Sequence, residues 1–365
     1  MKLNCNKNDL YKLISLAERS TSKNPTLPIL SSILFRASKN KLSIISTNLE
    51  VGFEGNLSAR VEEEGDVLPP SKTILSILYS IPDEDISLET SDNNLKIKSK
   101  TSTLNIKCFP LEEFPVVPKV KKENYFTIPG EILTGAIKNT ISATATTYIK
   151  PELASIYIFS QGKPPMTFVA TDSFRLAEQK VDVNCPSLSL LLPQKSGVEL
   201  IRIFEDFGDD VDIIFNKNQI LFQSRNISFL SRLTEGKFPD YQAIMPKSFE
   251  TQVVIDKNQL LGTIRTAGIF SSRLSEVTLC VKPQAGTLEV KSSSSETGEY
   301  QSTYPAKVSG SAVEVNFNHR YLEEAIQSVS GSKILLGFCG PQKAVLVKGT
   351  DDNSYIHLVM PMRGM

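Results

Sequence analysis

The sequence predicts an α+β protein made of six copies of one strand-helix-strands unit, two to a domain. The three expected domains span residues 1–122, 123–247 and 248–365. Three observations lead there. Apolar pairs four residues apart, the spacing of one helical face, begin at Leu10, Ile74, Leu133, Leu200, Leu260 and Leu322, at steps of 59 to 67 residues. Each pair is entered from a short strand through a turn, and a near-constant step is the signature of an internal repeat. Finally, the segment Phe114-Pro115-Val116-Val117-Pro118 is echoed by Phe238-Pro239 through Pro246, marking two comparable junctions.

Taken in order, residues 2–5 read as a strand, and Asn8-Asp9 as the cap of a helix that places Leu10 and Ile14 on one face. Strands are expected at 30–35, at 42–46 after the turn Ser38-Lys39-Asn40-Lys41, and at 50–54. A second helix follows Pro69-Pro70. Alternation then marks strands at 95–99 and 104–108, and the Phe114 segment with the charged residues 119–123 reads as a linker. The cycle restarts at 127–142, where a strand runs into a helix carrying Leu133, Ile137 and Ile141. Helix four follows Leu192-Pro193, with strands at 156–159, 166–170, 212–215, 219–223 and 227–232. Helix five follows the strand 253–256, helix six begins at Asn318, and a last strand covers 355–360. The expected helical stretches are 7–23, 70–81, 129–142, 193–204, 256–274 and 318–329.

At 365 residues, with hydrophobic content of 40% and charged content of 22%, the chain suits a globular protein with an ample core. Lys plus Arg equals Asp plus Glu, so net charge selects no partner. Cys5, Cys108, Cys185, Cys280 and Cys339 lie far apart without C-x-x-C spacing, which reads as reduced thiols. No signal-like leader and no apolar run of membrane-spanning length stands out, so a cytoplasmic protein with no membrane association is expected.

Charge is nonetheless unevenly placed. The six helical stretches carry 12 Lys/Arg against 7 Asp/Glu. If the repeat aims these helices alike, their free faces form a cationic lining, able to hold phosphates without reading bases. Geometry then limits the ring. Helices about 10 Å across, six abreast, leave an opening of only roughly 9 Å, whereas twelve leave about 28 Å, enough for a duplex roughly 20 Å wide. A chain of this kind closes around DNA only as a head-to-tail dimer.

Catalytic chemistry is not signalled. The two histidines, His319 and His357, have no patterned nucleophile or carboxylate partner. No phosphate-binding glycine motif occurs, and Asp209-Asp210 and Asp351-Asp352 sit in turn-like contexts. A non-enzymatic binding protein with no cofactor and no metal is expected.

Four segments then carry a resemblance. They are Pro25-Thr26-Leu27-Pro28-Ile29-Leu30, Ala170-Thr171-Asp172-Ser173-Phe174-Arg175-Leu176-Ala177, Gly236-Lys237-Phe238-Pro239-Asp240-Tyr241 and Val359-Met360-Pro361-Met362-Arg363. With them the whole chain resembles the bacterial DNA polymerase III beta subunit family, the processivity sliding clamps. The resemblance implies a three-domain DNA-clamp fold, helices lining a ring and sheets outside. It implies a homodimer encircling duplex DNA without sequence preference, and as partners the replicative DNA polymerase, the clamp loader and other clamp-binding-motif proteins.

On matching positions it implies a peptide-binding groove from Leu153, Thr171, Ser173, Phe174, Arg175, Leu176, Pro239, Ile244, Leu274, Asn318, Tyr321, Met360, Pro361, Met362 and Arg363. DNA contacts would come from Lys23, Asn24, Lys72, Tyr148, Lys150 and Lys195. The subunit contact would set Leu104 and Ile106 against Ile269 and Phe270. The chain departs from the family in having Asn24 where arginine is common, Phe174 where histidine is common, Ala243 for a frequent arginine, and Gly364 for a bulkier aliphatic. A scaffold of the same fold that recruits peptides without encircling DNA is the alternative.

Overall fold

The computed structural model describes the chain except residues 23–25, 92, 119, 206–207 and 363–365. Lys23, Asn24, Arg363 and Gly364 therefore lie outside the described residues. Helices form at all six apolar pairs: α1 (Lys7–Glu18), α2 (Ser71–Ser80), α3 (Gly130–Ile141), α4 (Gln194–Phe204), α5 (Lys257–Ile269) and α6 (His319–Ser328). All twelve residues of those pairs are buried. At about 25 cal/mol per Å² of apolar surface removed from water, such stripes hold each helix to its sheet.

Several local expectations are corrected. The cap of α1 is Asn6, whose Oδ1 accepts from the Asn8 and Asp9 N–H groups at 2.9 and 3.2 Å, so Asn8 and Asp9 lie inside the helix. α1 and α5 stop at Glu18 and Ile269, short of residues 23 and 274. There Thr21 Oγ1 and Ser271 Oγ donate to the carbonyls of Glu18 and Gly268, taking over helix-end acceptors. Residues Pro28–Ser31 form a 3-10 turn, and the strand expected at 30–35 begins only at Leu34; Pro28 fixes its own φ and offers no N–H to a ladder.

The chain packs into two compact units. The first comprises Met1–Thr134 and Lys195–Leu233. It contains a five-stranded sheet ordered Arg60–Glu63, Lys2–Asn6, Asp85–Ser91, Asn94–Lys98, Thr103–Lys107. Its eight-stranded sheet runs Asn124–Pro129, Asp210–Phe215, Gln219–Ser224, Ile227–Arg232, Val51–Ser58, Lys41–Thr47, Leu34–Ser38, Gly65–Val67. α1 and α2 lie side by side, and α1 crosses Val51–Ser58 so closely that a Cβ on Gly55 would stand 2.3 Å from Leu13 Cδ1.

The second unit comprises Gly135–Gln194 and Thr234–Met365. Its nine-stranded sheet runs Ser187–Pro193, Ser155–Gln161, Met166–Thr171, Arg175–Val181, Tyr355–Val359, Val345–Gly349, Lys333–Phe338, Thr251–Asp256, Lys307–Gly310. A four-stranded sheet is ordered Gly298–Pro305, Thr287–Ser294, Glu276–Lys282, Val313–Asn318. One face of the nine-stranded sheet packs with Leu260 and Ile264 of α5 and Leu322 and Ile326 of α6 in a single core. Its other face holds Val169, Leu176 and Leu358, covered by Phe238 and Tyr241.

That cover corrects the reading of the Phe-Pro segments as linkers. Phe114 and Val117 pack against Ile29, Leu30, Leu34, Ile45 and Leu68 in the first unit, and Phe238 and Tyr241 are buried in the second. Both segments are straps laid across a sheet.

The two large sheets follow one plan. Val51–Ser58 pairs antiparallel with Ile227–Arg232 (Phe53 opposite Phe229), and Arg175–Val181 pairs antiparallel with Tyr355–Val359 (Ala177 opposite His357). The turns that lead into them match atom for atom. Thr47 Oγ1 donates to the Val51 carbonyl and accepts from Leu49 N–H, while Asn48 Oδ1 accepts from Glu50 and Val51. Thr171, Ser173, Asp172, Phe174 and Arg175 repeat the same set. Leu49 and Ser173 both take left-handed φ, +75° and +79°.

Candidate functional site

The strap and turn of the second unit frame a cleft of about 550 Å³. Thr171, Ser173, Arg175, Leu176, Leu358 and Met360 line it from the sheet side, Ile244 and Pro246 to Ser248 from the strap, and Cys339 with Gln342 to Ala344 from a turn between two strands. Alternation along the strands sets the chemistry. Leu176 and Leu358, opposite each other in the ladder, face the cleft side, while Ala177, Tyr355 and Val359 join the core with the helices. The result is an apolar floor beside an exposed Ile244 (60%) and an exposed Met360.

Arg175 is spoken for by its own chain. Its side chain is only 9% exposed; Nε donates to Asp172 Oδ2 at 2.9 Å, Nη1 pairs with Glu324, and the guanidinium lies 4.2 Å from the centroid of the Tyr321 ring. Burial nevertheless pushes the Glu324 carboxyl above its usual range, against the pull of Arg175. Met360 continues from the last strand by donating its N–H to the Phe174 carbonyl at 2.8 Å, which ties it to the turn. Beneath the cleft, His357 is fully buried with Nδ1 2.8 Å from Tyr355 Oη, and burial, reinforced by Arg175, depresses its pKa to about 3.

Six expected groove residues line this cleft: Thr171, Ser173, Arg175, Leu176, Ile244 and Met360. Phe174 is exposed at the turn, Pro239 is exposed on the strap, and Leu153 is buried. Asn318 caps α6 by accepting from Arg320 N–H, Tyr321 supports Arg175, and Leu274 is exposed beyond α5. Pro361 is half-buried, and Met362 donates its N–H to the Asn316 carbonyl at 2.8 Å. Reading the sequence missed Pro246, Lys247, Ser248, Cys339, Gln342, Lys343, Ala344 and Leu358. The turn chemistry of Gly340-Pro341-Gln342 is visible in the sequence, but nothing local says that it reaches the strap.

Of the expected DNA contacts, Lys72 and Lys195 are exposed in the first turns of α2 and α4, and Tyr148 and Lys150 are exposed in the loop after α3. Of the expected subunit contacts, Leu104 and Ile106 lie on Thr103–Lys107, a strand with a free edge. Leu104 is half-buried and Ile106 is buried in its own unit at 4% exposure. Ile269 is 67% exposed, and Phe270 stacks on Tyr300, ring centroids 5.9 Å apart, on the free edge strand Gly298–Pro305.

The fold is the α+β three-domain clamp fold. The crystal structure of the DNA polymerase sliding clamp from Bacillus subtilis superimposes with a TM-score of 0.95 at 25% identity, covering 100% of both chains. A Pseudomonas aeruginosa sliding clamp solved bound to griselimycin matches with a TM-score of 0.94, again at 25% identity over 100% of both chains. In sequence, the beta sliding clamps of B. subtilis and Staphylococcus aureus are 25% and 26% identical, over 100% and 94% of both chains. Family models of the DNA polymerase III beta subunit match end to end: the N-terminal domain over residues 1–118, the central domain over 127–240 and the C-terminal domain over 242–363. The chain belongs to the DNA polymerase III beta subunit family.

Proposed function

We propose that this protein is a sliding clamp: a head-to-tail homodimer that closes around duplex DNA and tethers the replicative polymerase and other partners through the cleft between strap and turn. One observation carries the reading. The strand that follows each Thr-Asx turn pairs with the last strand of the next domain. Two strands in that scheme lack their counterpart among the described residues: Thr103–Lys107 and Gly298–Pro305, each the edge of its sheet. Pairing the first with the second of another copy satisfies both edges and repeats the plan once more. Phe270 and Ile269 beside Gly298–Pro305 then supply apolar surface next to Leu104.

The resulting ring has twelve helices, wide enough for a duplex on the helix-diameter argument. Lys72, Lys150 and Lys195 hold phosphates, and topology, not affinity, prevents escape. Within this reading the domains are residues 1–122, 123–247 and 248–365, and the protein works in the cytoplasm with a clamp loader to open the ring. Retention on circular DNA tests it. The loaded protein stays on nicked circles and runs off after linearisation; equal retention on both sinks the proposal. Sedimentation must give a dimer, and Thr303→Pro, which removes an outward-facing N–H from the edge of Gly298–Pro305, must shift it to monomer.

A further inference from the structure

The cleft of the second unit has an unbalanced lining. Arg175, Lys247 and Lys343 contribute to it, and no Asp or Glu does. Arg175 is already matched by Asp172 and Glu324. Lys247 and Lys343 are exposed, and no carboxylate among the described residues lies within salt-bridge distance of either. The turn carrying Lys343 and the strap carrying Lys247 meet where Cys339 Sγ donates to the Ser248 carbonyl at 3.4 Å. Glu250 lies against Gly340 and does not line the cleft.

We infer that the cleft selects peptides in which apolar anchors are accompanied by at least one carboxylate, taken up by Lys247 and Lys343. This rests on the reading of the cleft as a peptide site and adds its charge preference. The apolar floor of Leu176, Leu358 and Ile244 supplies affinity without direction. A cationic pair on one wall fixes which end of the peptide lies where and disfavours basic sequences.

Two labelled heptapeptides test it by fluorescence anisotropy, both built on Leu-Leu-Phe, one flanked by aspartates and the other by asparagines. The aspartate peptide should bind roughly fivefold tighter at low ionic strength. The advantage should vanish in about 1 M salt, where screening acts within about 3 Å. Lys247→Glu/Lys343→Glu should reverse the preference, so that the asparagine peptide binds more tightly than the aspartate peptide, while leaving the melting temperature unchanged. Equal binding of the two peptides, or a preference that survives the double reversal, overturns the charge selection and leaves the apolar site standing. Failure of both peptides to bind the wild-type protein overturns the site and the selection together.

Discussion

The first unit holds a twin of the cleft. It measures about 560 Å³ and is framed by the Phe114 strap over the strands that follow the Thr47-Asn48 turn. Position for position, Val120 stands where Ile244 does, Lys122 where Pro246 does, and Leu230 where Leu358 does. The differences are few and physical. Gly52 occupies the place of Leu176, and Val117 drops onto it: a Cβ there would stand 2.9 Å from Val117 Cγ1. In the second unit the corresponding strap residue, Tyr241, instead hydrogen-bonds Glu178 at 2.6 Å. Val51 replaces Arg175, and Phe229 replaces His357. Charges lining the first cleft balance, with Arg36 donating to both oxygens of Asp66. A duplicated frame of similar volume has therefore been charge-neutralised, with a strap residue laid onto its floor, in one copy, and left apolar, cationic and braced by a buried arginine in the other.

Four experiments break or sharpen this contrast. The largest effect belongs to the arginine. Arg175→Ala strands Asp172 and Glu324, and should cost about 2 to 3 kcal/mol in urea unfolding, below the range for fully buried pairs because Glu324 is 41% exposed. Val51→Ala, its twin, should cost only about 1 kcal/mol. Equal losses would mean the arginine braces nothing.

Next come the strap residues. Ile244→Ser should weaken peptide binding by roughly tenfold or more through lost apolar contact. Val120→Ser should leave binding unchanged, and a matching loss there would show that both clefts bind.

Acid should then separate the units. His357 has a folded pKa depressed to about 3. Between that value and the unfolded value near 6.5, the unfolded chain binds more protons, so stability falls as pH falls, by about 1.4 kcal/mol per unit from this group. Glu324, raised by burial, acts in the opposite sense just above the ordinary carboxylate range. Comparing pH-dependent melts of wild type with His357→Phe cancels that contribution, and parallel curves would refute the histidine's role.

Smallest is a thiol readout. Burial pushes Cys339 up, so iodoacetamide should react slowly near neutrality and faster by about tenfold per pH unit. Bound peptide should slow it further; no protection would place the peptide elsewhere.

Much of this was legible in the sequence because it is local. Leu10, Ile74 and their counterparts reveal helices through a spacing that needs only one turn of backbone. Thr171, Ser173, Arg175, Leu176, Ile244 and Met360 were legible through resemblance, and they do line the cleft. The matching Thr47-Asn48 and Thr171-Asp172 turns were equally available as a signal. The straps misled because Phe-Pro-rich sequence reads as linker until a sheet lies beneath it.

The sequence by itself determined where helices and turns form and that the plan repeats, since backbone preference and apolar period act over a few residues. Only the tertiary structure decided that Arg175–Val181 meets Tyr355–Val359, that Lys343 joins Lys247 at one cleft, and that Arg175 turns inward. Strand pairing and burial are settled between residues far apart in the chain, where no local period can choose the partner.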